Sequence, residues 1–166
     1  MLSEPRLDDR ADQPYVAERT RVRMQEFAAA IDRAYPRVFA WLREHDLTPA
    51  GAPIIRYRVI DMATALDVDI GVPVADLPAV DAGLIADTLP AGRYASLVYS
   101  GHYQGLVDAT SALLEWGREQ GLHWDSWRVD QGDAWGGRYE TYRTDPRAEP
   151  DPSRWETEIA MRLRGD

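Results

Sequence analysis

Two stretches of the chain carry apolar residues at helical spacing. In 106–122, Leu106, Ala109, Leu113 and Trp116 recur at three- and four-residue intervals, and Gly121 is placed to stop the helix. In 24–47 the stripe is Val38, Phe39, Trp41 and Leu42; Pro36 predicts a kink there, or the first turn of a new helix after a short one around Met24–Ile31. Both patterns close on the same motif, W-x-R-E-x-x-L, as "WLREHDL" (41–47) and "WGREQGL" (116–122). Their surroundings match as well. A tyrosine-led strand precedes each, "YVAERTRV" (15–22) and "YASLVYSG" (94–101). A strand follows each, "IIRYRVID" (54–61) and "GGRYETYRTD" (136–145). Then comes a stretch alternating apolar with acidic residues, "LDVDIGV" (66–72) and "WETEIAM" (155–161), the period of a half-buried strand.

The order is β-α-β-β, twice. Neither half buries its sheet well alone, so the expected fold class is α+β: tandem duplicated βαββ modules, 13–75 and 83–164, related by a pseudo-twofold axis and sharing an antiparallel sheet with helices. Residues 72–83 form the link, and the charged segment 1–12 is expected to be a disordered lead-in to a domain spanning 13–166.

Alternation also sorts side chains by face. Arg138, Glu140 and Tyr142 point one way from their strand; Trp135, Gly137, Tyr139 and Thr141 point the other. Pairing with the last strand as a hairpin is expected to bring Glu140, Tyr142, Glu158 and Ala160 to one surface; in the first repeat the position equivalent to Glu140 is held by Arg58. Asp67, Asp69 and Glu156 read as a solvated acidic row of little energetic weight. Glu140 has unusual company: Trp124, Trp127, Trp135, Tyr139 and Tyr142 lie close by in sequence, three of them around the loop "HWDSWRVDQGDAW" (123–135). Two readings stay open. The aromatics are core packing, or they wall a concave site in which the carboxylate meets a lipophilic cation.

Composition narrows the chemistry. The absence of cysteine excludes disulfides, thiolate nucleophiles and cysteine zinc sites, and His45, His102 and His123 show no metal-ligand spacing; no metal or cofactor is expected. The net charge of −9, with arginine as the sole basic residue type, argues against a nucleic-acid partner. No apolar run reaches the roughly 20 residues a membrane span needs, and no signal core is present, so a cytoplasmic location is expected.

Five motifs in order, "LPAGRYA" (89–95), "SGHYQGL" (100–106), "LLEWGREQGL" (113–122), "YETYRTDP" (139–146) and "WETEIAMRL" (155–163), resemble the GyrI-like small-molecule-binding domain, which also serves as effector-binding domain in AraC- and MerR-type multidrug regulators. The resemblance runs from about residue 13 to 164. It implies a ligand groove where two modules meet, with a buried glutamate at its base in the pattern Y/F-E-x-Y, matched by Tyr139, Glu140, Thr141 and Tyr142. It implies a second acid at Glu158, and a pocket set of Glu140, Tyr142, Tyr139, Trp135, Trp127, Glu158 and Tyr57. Ala160 stands where some such regulators carry a pocket tyrosine, which widens the groove. The segment before Tyr15 is too short and polar for a helix-turn-helix, so a stand-alone binding protein for a small lipophilic or cationic molecule is expected. The alternatives are a hydrolase of cyclopropane-type electrophiles using Glu140 as general base, and an interaction module that inhibits a protein such as gyrase.

Overall fold

The computed structural model describes residues 1–165. Helix α1 (Phe27–Glu44) buries Ala30, Ala34, Val38, Trp41 and Leu42 along one face, and α2 (Leu106–Glu119) buries Ala109, Leu113 and Gly117. Alanine or glycine holds two positions of each stripe (Ala30 and Ala34, Ala109 and Gly117), which lets each helix sit close to the sheet there. Trp124 exploits this at Gly117, where an added Cβ would meet its ring at 2.2 Å. Pro36 does not split α1. The helix runs through it, giving up one backbone hydrogen bond, after a single 3-10 turn at Met24–Glu26. Asp46, at φ 55°, ends α1, and Gly121, at φ 70°, follows the end of α2.

The strands are β1 (Arg6–Arg10), β2 (Gln13–Val22), β3 (Ile54–Asp61), β4 (Ala65–Pro73), β5 (Ile85–Leu89), β6 (Gly92–Ser100), β7 (Ser126–Val129), β8 (Gly132–Trp135), β9 (Arg138–Tyr142) and β10 (Glu156–Arg162). They form one antiparallel sheet in the order β1-β6-β10-β9-β3-β4-β2-β5, with the β7–β8 hairpin joined to β3. Outward from the central β9–β3 pair the order is β9-β10-β6 on one side and β3-β4-β2 on the other. The β-α-β-β segments therefore fill the two halves in the same order. Helix α1 packs on β2 and β4, and α2 packs on β6.

Apolar clusters lie beneath the helices, with Val22, Ile55, Leu66 and Ile70 under α1 and Ala95, Leu97, Ile159 and Met161 under α2. A third cluster, built on Tyr15, Ile54, Tyr94, Tyr139 and Ala160, fills the opposite face of the sheet.

Three sequence expectations change at this level. The lead-in is not disordered, because residues 6–10 pair with edge strand β6 and Arg10 is stapled to Glu158 and Tyr139, each at 2.8 Å. The strand expected over 136–145 is shorter, β9 covering Arg138–Tyr142, and the tryptophan-rich loop holds the β7–β8 hairpin. Asp69 is not solvated: it is fully buried and binds Arg19 and the Tyr15 hydroxyl.

Candidate functional site

Between α1 and α2, over the middle of the sheet, lies a groove of about 1430 Å³. Its walls come from a second stripe on each helix, offset from the core stripe. On α1 this is Phe27, Ile31, Tyr35 and Phe39, spaced by four residues; on α2, Leu106, Thr110 and Leu114 repeat the spacing. Four-residue steps advance about 400°, so this row runs beside the alanine row rather than over it. The large side chains overhang the gap while the small ones meet the sheet. The floor is formed by Ile55, Tyr57, Ile60, Arg138, Glu140, Tyr142 and Ile159 from the central strands.

Glu140 sits on this floor with 7% of its surface exposed. The hydroxyls of Tyr57 and Tyr142 both donate to its Oε1, at 2.7 and 2.6 Å. The ring of Phe27 packs edge-on against Tyr57, and that of Tyr103 against Tyr142, so both phenols are held in place. Oε2 accepts no hydrogen bond among the described residues, and the carboxylate borders the groove. Burial pushes the Glu140 carboxyl up from its ordinary value; the two phenolic hydrogen bonds and the positive charge of Arg138 oppose that shift without cancelling it. Both phenols are themselves pushed well up by burial and by the carboxylate, so they remain donors across the physiological range. Removing either donor leaves the acid less compensated. Tyr142→Phe is expected to cost about 1.5–3 kcal/mol in chemical unfolding at neutral pH, and less in acid, where Glu140 is protonated.

The other expected site residues divide. Tyr57 and Tyr142 join Glu140 in the groove. Glu158 does not share its surface: the register sets Ile159 opposite Glu140 and Glu158 opposite Thr141, so Glu158 turns to the other face, ion-paired with Arg10 at 2.8 Å and Arg143 at 2.9 Å. Ala160 lies on that face too, in the cluster around Tyr15. Tyr139 borders the groove, but its ring packs edge-on against Tyr94 on the far side and its hydroxyl accepts from Arg10. Trp135 is buried beside Trp124 among the residues under α2. Trp127 is 51% exposed on the hairpin, outside the groove. Trp127→Ala is accordingly expected to leave the affinity of any groove ligand within about twofold and stability within about 0.5 kcal/mol, read by titration calorimetry and thermal unfolding.

Reading the sequence missed the helix walls. Their signal is present: a row of large apolar residues four apart, flanked by a row of alanines, is wider than a core stripe requires. Among the described residues no group of three or more His, Asp or Glu side chains is placed to hold a metal ion, and no helix is long and apolar enough to cross a membrane.

Several solved structures share the fold. EcmrR in its complex with DNA superposes over 98% of this chain and 58% of its own (TM-score 0.78, 18% identity), so this chain spans less than two thirds of that protein. The isolated EcmrR C-terminal domain matches over 98% of both chains (TM-score 0.77, 16% identity). SAV2435, solved bound to tetraphenylphosphonium, covers 98% of this chain and 95% of its own (TM-score 0.64, 16% identity). A hydrolase from Listeria innocua covers 97% and 92% (TM-score 0.63, 12% identity). No curated protein matches by sequence. The model of the GyrI-like small-molecule-binding domain matches residues 3–164, nearly the whole length, and the chain belongs to that family.

Proposed function

We propose that the protein binds a small lipophilic or cationic molecule in the groove between α1 and α2, with Glu140 at its base, and serves in sensing, sequestration or resistance. The observation that carries this reading is a carboxylate buried beneath an aromatic and aliphatic groove, with one oxygen held by two phenols and the other unpartnered among the described residues. A hydrated inorganic cation gains little there, because losing its water costs more than one carboxylate returns. A large organic cation with diffuse charge desolvates easily, fills the apolar walls and is attracted by ring faces as well as by the acid. The SAV2435 complex with tetraphenylphosphonium provides a probe of this type.

Titration calorimetry with tetraphenylphosphonium tests the reading on wild type and on Ile31→Trp, which fills the groove from its α1 wall without touching the acid. Saturable binding by wild type, weakened about tenfold or more in a folded Ile31→Trp protein, is expected. Wild type that does not bind, or an unaffected variant, contradicts it.

A second reading is a hydrolase, favoured by the upward shift of the Glu140 carboxyl, which suits a general base acting on water. Tyr57 and Tyr142 would orient the acid. Turnover of a cyclopropane-bearing electrophile by wild type, lost in Glu140→Gln, would establish it; binding without turnover leaves the first reading.

A further inference from the structure

Arg138 lies two residues before Glu140 on the same face of β9 and borders the same groove. Its guanidinium stacks 4.6 Å from the Trp135 ring and lies 5.9 Å from that of Tyr57. Among the described residues it makes no ion pair and no side-chain hydrogen bond. Asp133 on the neighbouring hairpin is taken by Arg128 at 3.4 Å, and the Glu140 Oε1 by the two tyrosines. A guanidinium fixed between aromatic rings, with its donors unused beside an apolar hollow, is an arrangement that a planar anion completes by paired N–H···O bonds.

Resting on the groove reading above, we infer that the ligand carries an organic anionic group, a carboxylate or sulfonate, that seats on Arg138, so that the site selects amphipathic zwitterions over simple lipophilic cations. The floor bears one negative and one positive charge, at positions that strand geometry sets about 6–7 Å apart along the backbone. A monocation neutralises Glu140 and leaves Arg138 facing the ligand's apolar body. A zwitterion of matching span satisfies both. The groove, at about 1430 Å³, holds a multi-ring scaffold bearing both groups.

Rhodamine B and its ethyl ester test the inference, because they differ only in whether the carboxylate is free. Their affinities are read by fluorescence anisotropy on wild type, Arg138→Gln, Arg138→Lys and Glu140→Gln. Wild type is expected to bind the free acid about tenfold more tightly than the ester. Arg138→Gln brings that ratio to about one, and Arg138→Lys, which keeps the charge but not the planar fork, keeps part of it. Glu140→Gln weakens both dyes and leaves the ratio standing. A wild-type ratio near one, with the ester still weakened by Glu140→Gln, overturns the inference and spares the groove reading. So does a ratio that Arg138→Gln does not change. Failure of both dyes to bind wild type removes the inference and the groove reading together. The wild-type ratio needs no variant to fold, so a ratio near one overturns the inference by itself.

Discussion

Glu140→Gln is expected to make the protein more stable at neutral pH while stripping it of cation binding. The glutamine keeps an oxygen for the Tyr57 and Tyr142 hydroxyls, so the two hydrogen bonds at 2.7 and 2.6 Å persist in neutral form. What disappears is the charge. Burial outweighs the phenols and Arg138 in setting the carboxyl, whose pKa lies above its ordinary 4.5. The folded state therefore holds its proton more tightly than the unfolded state does. Stability falls as pH rises from the ordinary value through the raised one, and the penalty is complete above it. The variant escapes that penalty. At about pH 7.5 a gain of about 1 kcal/mol or more is expected, seen as a rise of roughly 2–4 °C in melting temperature. At about pH 4, where the acid is protonated in both states, the two proteins should melt together. Affinity for tetraphenylphosphonium should fall about tenfold to a hundredfold in the same variant, since its counter-charge is gone. Stability given up at one residue for the sake of binding is the usual mark of a functional site. Thermal melts across pH, paired with calorimetry, read both halves of the expectation. A variant less stable than wild type at neutral pH would mean that Glu140 is a structural acid.

Asp69→Ala should show the opposite sign and a larger size. Asp69 is completely buried on β4 and receives a forked pair from Arg19 at 2.8 and 2.9 Å, as well as the Tyr15 hydroxyl. Arg56 reaches the same tyrosine at 3.1 Å, so one carboxylate organises two guanidiniums and a phenol on the face away from the groove. Its loss takes the acceptor from the Tyr15 hydroxyl and the Arg19 Nε, while Arg19 keeps Asp87 at 2.9 Å and Arg56 keeps the carbonyls of Thr88 and Gly136. Breaking a buried pair costs about 3–5 kcal/mol, and because Arg19 keeps some contact with water the lower end applies, about 3 kcal/mol. Chemical denaturation reads this directly. Groove binding should be retained in the variant under conditions where it folds, since no residue of this cluster touches the site. The two acids thus contrast in their pairing: Asp69 has both oxygens bonded, whereas Glu140 has one oxygen bonded and borders the groove.

Much of the architecture was legible in the order of its elements. The repeated W-x-R-E-x-x-L motif marks the ends of two helices, and the tyrosine-led and acid-alternating strands occupy corresponding places on either side of β3 and β9. Strand β1 was not legible because its pairing partner is the sheet edge and its anchor, Arg10, bonds to residues far along the chain. Asp69 and Glu140 were indistinguishable from surface acids or from each other by alternation alone, which fixes relative faces but not which face is covered. The register between β9 and β10 decides that, and it differs by one residue from the pairing that would have joined Glu158 to Glu140. Aromatic density near Glu140 pointed to the strand on the groove floor and to Tyr142, but its tryptophans lie outside the groove. Trp127 and Trp135 are close in sequence, whereas Tyr57, Phe27 and Tyr103 come to the groove from distant segments.

Carbon-13 NMR of the Glu140 side-chain carboxyl, titrated with acid alone and again in saturating tetraphenylphosphonium, tests the central claim most directly. In the free protein its midpoint should lie above the ordinary carboxylate value, and the bound cation, by favouring the ionised form, should move it down. A midpoint in the ordinary range, or one that the cation leaves in place, would show that this acid is not the base of a ligand site.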